Sequence, residues 1–395
     1  MLDKLLFMSV DVRNIGLRDV IVADTLISKI DPQAGQLIYR GYDIGDLAGH
    51  STYEEIVYLL LYDRLPNKNE LLALKERMIS FREPPEYLAD YMSDLPLNAP
   101  TTSILQASIP LVDCFACKET KSKDEVRDVA LRLIALFASI ITYWYGIKNN
   151  LTPVRPSKLD HASNFLYMLT GREPEGDVAR IFDVCLILHA EHSFNASTFA
   201  AREVASTGAS VYASICAAIG ALSGELHGGA STKVMKMLEE IGEVDRVEEW
   251  VDKKLEADER IMGIGHAVYR TTDPRARILK QISRKLGIIK GESRWFEITR
   301  RVEEYTTDEI EKRKGIRLYP NVDLYTPSIY HLLGISEELF TPIFASARIA
   351  GWCVHIIEEK FAEAQPKPVL YRPKARYIGN YCGPQACSYT SIEHR

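Results

Sequence analysis

The chain has 395 residues, 46% apolar and 26% charged, with a net charge of −6 and a pI near 5.9. Those values describe an ordinary soluble globular protein, with length for one large domain or two unequal ones, and they exclude a global basic footprint for nucleic acid. A bound anion would need a local cluster of cations.

The N-terminus carries Asp3 and Asp11 around an apolar run too short for a signal peptide. Later apolar stretches are interrupted by charges or by Ser and Gly, so none reads as membrane-spanning. Cysteines stand at 114, 117, 185, 216, 353, 382 and 387. An odd number in a long chain, several of them in apolar helical stretches, reads as reduced and buried, hence cytoplasmic. Cys114-x-x-Cys117 has no second pair to complete a zinc site.

Thr25–Asp31 and Leu37–Tyr39, flanking Pro32–Gly35, predict a small hairpin. Ile56, Leu59 and Leu60, then Leu71 and Leu72 beyond a turn at Leu65–Asn67, predict a helix pair. Val126–Tyr145 is apolar on most of its surface and predicts an internal helix. Val204–Leu222 is rich in Ala, Ser and Gly, which suits either a core helix or a tight helix–helix or subunit contact. Ala364–Pro373 separates the last long helix from a polar tail. Strands alternating with helices are absent, so the class is mainly α.

The histidines carry the chemical signal. His189 and His192 sit on a helix or at its end, and their spacing lacks the His-Glu-x-x-His pattern of a metal site. His227, in Leu-His-Gly-Gly-Ala, and His266, in Gly-Ile-Gly-His-Ala, occupy glycine-rich loops that let a ligand approach the backbone. After His266 come Arg270, Arg275, Arg277, Lys280, Arg284 and Lys285, a cation density that suits a small polyanion or, equally, a solvated helix face. Asp323 lies between prolines among apolar and aromatic neighbours, where it can act as a base of raised pKa or cap the next helix. No Gly-x-Ser-x-Gly, Walker loop or complete dinucleotide fingerprint is present.

Taken together these residues resemble the citrate synthase family. The likeness starts at Asp31-Pro-Gln-Ala-Gly-Gln-Leu-Ile-Tyr-Arg-Gly-Tyr-Asp43 and runs through Leu226-His-Gly-Gly-Ala230, Gly263-Ile-Gly-His-Ala-Val268, Thr272-Asp-Pro-Arg-Ala276, Pro320-Asn-Val-Asp323 and Phe344–Trp352 to Arg372-Pro-Lys374. It implies a mainly α, two-domain helical fold with a small N-terminal β-hairpin. The large domain would comprise residues 1–227 and 329–395, and a small domain, 228–328, would close over the site. It implies condensation of acetyl-CoA with oxaloacetate and water by a triad of His227, His266 and Asp323, with no metal or redox cofactor and no nucleic-acid or membrane partner.

The resemblance further implies that substrate carboxylates are held by His192, Arg275, Arg348 and Arg372, the last reaching across a homodimer. CoA would be wrapped by Arg260, Ile261, Met262, Gly263, Ile264 and Gly265, with Lys312 or Lys314 on its phosphates. The alternatives are 2-methylcitrate synthase, using propionyl-CoA with the same triad, and a non-catalytic paralogue that binds CoA or dicarboxylates. This chain departs from the family pattern at Glu225, where proline is usual, at Glu191 and Ser193, and at Ser231-Thr232, where Asn-Glu is usual. An insertion between Trp352 and Arg372 blurs the position of that arginine. Glu225 is expected to set a second carboxylate near His227, where it would raise the histidine's pKa or alter substrate preference.

Overall fold

The computed structural model describes residues 15–17, 20–116, 120–379 and 389–395. Among them are sixteen α-helices and one three-stranded antiparallel sheet. The predicted hairpin is present as β1 (Ser28–Asp31) and β2 (Gln36–Tyr39), paired from Ser28↔Tyr39 to Asp31↔Gln36. A short β3 (Tyr42–Asp43) adds to β2. Asp31 Oδ1 closes the turn by accepting from the N–H groups of Gln33 and Ala34 at 3.1 and 2.8 Å. Gly35, at φ +62°, lets the turn press on Thr271, whose methyl would lie 2.7 Å from an added Cβ.

The helices follow in chain order. They begin with α1 (Ile44–His50), α2 (Tyr53–Tyr62), α3 (Lys68–Phe81), α4 (Glu86–Ser93), α5 (Thr101–Ala116) and α6 (Lys123–Lys148). Next come α7 (His161–Thr170), α8 (Gly176–His189), α9 (Ala196–Ser206), α10 (Val211–Leu222) and α11 (Ala230–Ile241). The last are α12 (Val247–Glu256), α13 (Pro274–Lys290), α14 (Arg294–Lys314), α15 (Val322–Leu332) and α16 (Phe340–Lys360). Capping boxes at Thr52/Glu55, Asn67/Glu70 and Ser122/Glu125 start α2, α3 and α6 where hydrophobic periodicity resumes.

Two segments, Lys123–Lys148 and Glu337–Lys360, are long and apolar enough by composition to cross a membrane. Their apolar windows are largely buried inside the fold, with Trp144 and Trp352 fully enclosed. Both therefore serve as central core helices here, with α6 packed on α16 and α7. The small-residue segment Val204–Leu222 is broken at Gly208, φ +84°, so that α9 and α10 fold against each other. α10 also packs closely on α5: a Cβ at Gly220 would lie 2.9 Å from the Gln106 side chain, which itself donates to the Cys216 carbonyl. The core-helix reading of that segment is therefore realised within one chain.

Cys185 and Cys353 are buried, Cys216 is half-buried and Cys114 is exposed, so the reading of the cysteines as buried fails at Cys114. The latter lies near the end of α5, where the helix gives way to solvent. Cys117, Cys382 and Cys387 lie outside the described residues.

Helices α11 to α15 pack chiefly on one another, α13 and α11 against α15 and α12 against α14. They meet the remaining helices where α13 touches α1 and α8 and where α11 touches α16. Where α16 crosses the end of α8, Gly351 N–H donates to Ala190 O at 3.1 Å, and an added Cβ would sit 2.4 Å from both that oxygen and Glu191 Oε2. Gly351→Ala is expected to lower stability by about 1–3 kcal/mol, from overpacking, as measured by urea unfolding.

Candidate active site

Three chain segments converge, each shaped by local geometry. The first follows α10. Gly228 N–H donates back to Leu222 O at 3.0 Å, and a Cβ on Gly228 would lie 2.2 Å from that same oxygen, so only glycine permits the turn. His227 projects from it. Its Nε2 accepts from Ser197 N–H at 3.3 Å and lies 2.8 Å from Ser197 Oγ. That hydroxyl in turn accepts from Trp352 Nε1 at 3.1 Å and lies 2.8 Å from Asn195 Oδ1, so its one proton serves either Oδ1 or His227 Nε2. A backbone donor on Nε2 places the imidazole proton on Nδ1. Burial, then the Arg348 charge, pushes the His227 pKa down to about 4.

The second segment is the loop before α13. It is stitched to residues 319–323 by the Ile264↔Pro320 bridge and by Gly265 N–H to Tyr319 O at 2.7 Å. Asn321 adds its N–H to Gly263 O at 3.0 Å and its Nδ2 to Gly265 O at 2.8 Å. Gly263 and Gly265 take φ of +80° and +91°, a left-handed region costly to other residues. His266 Nδ1 accepts from the N–H groups of Val268 and Tyr269 at 2.9 and 3.2 Å, which leaves the proton on Nε2. Burial, then Arg275, pushes its pKa down to about 4, with Asp273 opposing.

The third segment brings Asp323 into the first turn of α15. The N-cap is Asn321, which accepts from Asp323 N–H at 2.9 Å, so the capping alternative for Asp323 is not realised. Burial raises the Asp323 pKa, while a hydrogen bond from Ser231 Oγ at 2.7 Å and the Arg275 charge work against the rise. Around this group the structure buries Arg275, Arg348 and His192. Asp273 holds Arg275 with two bonds, 3.0 and 2.7 Å, and outweighs the burial that would otherwise lower its pKa.

Arg348 has no such counterion among the described residues. Its Nε donates to His189 O at 2.6 Å, and its guanidinium lies 4.7 Å from the Phe344 ring centroid. Burial accordingly pulls its pKa down to about 10, opposed by Glu191 and reinforced by Arg275. His192 packs 5.7 Å from His266, centroid to centroid, and its buried Nε2 has no hydrogen-bond partner among the described residues. His192 is held well below its ordinary pKa by burial and by both arginines.

Arg260, Ile261, Met262, Gly263, Ile264 and Gly265 line one cleft of about 600 Å³ together with His266, Asn321 and Lys314. The cleft thus runs from the surface to the imidazole. Lys314 stands at it paired with Asp258 at 3.1 Å. Lys312 is not part of this wall: it is exposed and bonds Glu309 one turn back on α14. Arg372 is exposed too, and the fold of one chain does not bring it to the site.

The basic run after His266 divides between its two readings. Arg275 points inward, whereas Lys280 and Lys285 pair with Glu303 and Asp177. Glu225 departs from expectation: it is exposed and lies 3.2 Å from Lys233, and the His227 pKa moves down, not up. Sequence reasoning missed Ser197, Ser231 and Asn321 as supports. Their partners lie 30, 92 and 56 residues away, and no local pattern announces such pairs. Asp273 was detectable, because Asp-Pro is a helix-start signal and α13 begins there.

Two imidazoles of lowered pKa, a half-buried carboxyl group and two buried guanidiniums make a set of donors, a base and cations suited to polarising carbonyl oxygens and moving a proton. The family profile described as Citrate synthase, C-terminal domain, matches residues 16–374. Citrate synthase 2 of Bacillus subtilis is 41% identical over 96% of this chain and 98% of its own length. A 2-methylcitrate synthase of Shewanella oneidensis is 35% identical over 92% and 94%. The crystal structure of citrate synthase from Thermoplasma acidophilum, a ternary complex with carboxymethyl coenzyme A and oxaloacetate, superposes with a TM-score of 0.88 at 33% identity, over 96% of this chain and 98% of that one. This chain belongs to the citrate synthase family and is a citrate synthase-type acyltransferase.

Both histidines on the glycine-rich loops have depressed pKa values, so they bind protons less readily folded than unfolded. Neither ring should titrate between pH 8 and about 5 in ¹H–¹⁵N NMR spectra, and the protein should lose stability as pH falls from about 6.5 toward 4. Midpoints near 6.5 for either ring would contradict this electrostatic picture.

Proposed function

We propose that the enzyme condenses acetyl-CoA with oxaloacetate and water to give citrate and CoA, and that His227, His266 and Asp323 carry the chemistry. The supporting observation is the pair of oppositely protonated imidazoles: backbone N–H groups occupy Nε2 of His227 and Nδ1 of His266, leaving each ring one committed donor. Asp323 takes a proton from the acetyl methyl group as His227 Nδ1–H stabilises the oxygen of the forming enolate. Unaided, a carboxylate is far too weak a base for that step, so a preorganised donor is needed at the oxygen where charge develops. Neutral imidazole suits the task. His266 Nε2–H then polarises and protonates the oxaloacetate ketone as the enolate carbon attacks, and citryl-CoA is hydrolysed.

Arg348, a buried cation with no ion-pair partner among the described residues, and Arg275 receive substrate carboxylates, with His192 Nε2 as a further partner. CoA occupies the Arg260–Gly265 cleft, its phosphates facing Lys314 in place of Asp258. No metal takes part in this reading. His192, His266 and Asp273 do bring one ligand atom each within 4.8 Å of one another, but Asp273 is already spent on Arg275, and a second buried guanidinium stands nearby. Residues 228–328 move as the closing unit, a reading supported by the mutual packing of α11 to α15 and by the placement of His266, Arg275 and Asp323 on them. Closure after oxaloacetate binds protects the thioester from hydrolysis.

The working form is a homodimer in which Arg372 completes the partner's site. Tyr371, anchored to Glu359 Oε2 at 2.7 Å, gives that exposed arginine a fixed base. Buried thiols such as Cys185 and Cys353 suit a reducing, cytoplasmic setting.

CoA-thiol release is the decisive assay. It should require oxaloacetate, proceed more efficiently with acetyl-CoA than with propionyl-CoA by about 10- to 200-fold, and fall by about 10²-fold or more in Asp323→Asn. A preference for propionyl-CoA would move the assignment to 2-methylcitrate synthase. Undiminished turnover by Asp323→Asn would refute the mechanism.

A further inference from the structure

Among the described residues Asp323 has one side-chain hydrogen-bond partner, and it comes from another helix. Ser231, the second residue of α11, donates from Oγ to Asp323 Oδ1 at 2.7 Å. Ser231 is 4% exposed, so water competes little for its hydroxyl. The contact lies where the N-terminal turns of α11 and α15 meet, and both ends favour negative charge. The turn that carries His227 leads directly into α11, so one short stretch of chain supplies both the enolate donor and the group that grips the base.

We propose that Ser231 is a positioning residue for the Asp323 base, fixing its carboxyl group so that Oδ2 faces the carbon-bound proton. The inference rests on Asp323 being that base. The carboxyl torsion of aspartate is broad and roughly two-fold, so an unheld group samples many orientations. A donor on Oδ1 selects one of them and leaves Oδ2 to react. When the methyl C–H bond breaks, its electron pair passes to the enolate and its proton to Oδ2. Oδ1 then becomes the carbonyl oxygen of the acid and still accepts from Ser231, so no partner is exchanged during the step. The hydroxyl favours the charged form and therefore offsets part of the penalty that burial places on it.

The test compares Ser231→Ala, Ser231→Thr and Asp323→Asn in the full-length protein. Steady-state rates would be followed against pH with acetyl-CoA and oxaloacetate, alongside melting temperatures. Ser231→Ala should lower kcat by about 10- to 100-fold, the range for a hydrogen bond to a charged group. It should also move the acid limb of the profile up by about one pH unit, because losing the donor raises the pKa of the base. The KM for oxaloacetate and the melting temperature should stay at parental values, and Ser231→Thr, which keeps the hydroxyl, should recover both kcat and the limb.

Parental kcat and profile in Ser231→Ala would overturn the proposal, provided Asp323→Asn is inactive. So would a rate loss uniform across pH with a lowered melting temperature, which is the mark of a merely structural role. Full activity in Asp323→Asn would remove the base assignment itself, and this inference with it.

Discussion

The site is organised around the cost of burying positive charge. Arg275 and Arg348 are almost wholly enclosed, and an unpaired cation in such surroundings is strongly disfavoured. The two are handled differently. Arg275 receives a bidentate carboxylate from Asp273, two residues before it on the same helix start. Arg348 receives a carbonyl oxygen and an aromatic face, and its pKa falls accordingly. That contrast leaves one guanidinium neutralised and one in need of an anion. In the function proposed above, a dianionic substrate would supply an anion at Arg348. Burial first, and then one or both of these cations, hold His192, His227 and His266 below the ordinary imidazole pKa.

Behind the site a second charged network keeps the His192 loop in place. Glu191 Oε1 accepts from Ser28 Oγ at 2.9 Å and contacts His355 Nε2 at 3.1 Å. His355 Nδ1 accepts from Arg202, which also donates to Glu358 at 2.6 Å and to Glu359 at 3.0 Å. Glu358 then takes Leu26 N–H at 2.7 Å and Glu359 takes Tyr371. Five separated parts of the chain, from β1 to the segment beyond α16, are therefore tied to one buried carboxylate beside His192. Burial alone would raise the Glu191 pKa, and its partners hold it below the ordinary value. Each of these polar contacts joins separate stretches of chain, so losing one would leave buried charge uncompensated.

The reactive groups all sit at helix starts or in the loops that lead to them. His227 precedes α11, His266 precedes α13, and Asp323 opens α15. Loops placed there can bring side chains close to a ligand while the helices behind them stay rigid. The left-handed glycines at 263 and 265 let the cleft wall fold tightly against Leu324 and Tyr319, so the wall of the cleft and the turn bearing Asp323 form one unit. A ligand in the cleft would thus be sensed at the base through a few backbone bonds.

By itself the sequence determined the helical class, the hairpin and the paired helices around Pro66, and it singled out His227, His266 and Asp323 and, through the family resemblance, Arg275 and Arg348, because periodicity, glycine-rich loops and ordered motifs are local and survive in one dimension. Only the tertiary structure decided what each of those groups is. It set backbone N–H donors against Nε2 of one histidine and Nδ1 of the other, turned Glu225 to solvent, left Lys312 off the cleft wall, and gave Asp323 its partner in Ser231. Protonation and orientation depend on neighbours supplied from across the fold and on the loss of water around them, and neither can be read from spacing along the chain.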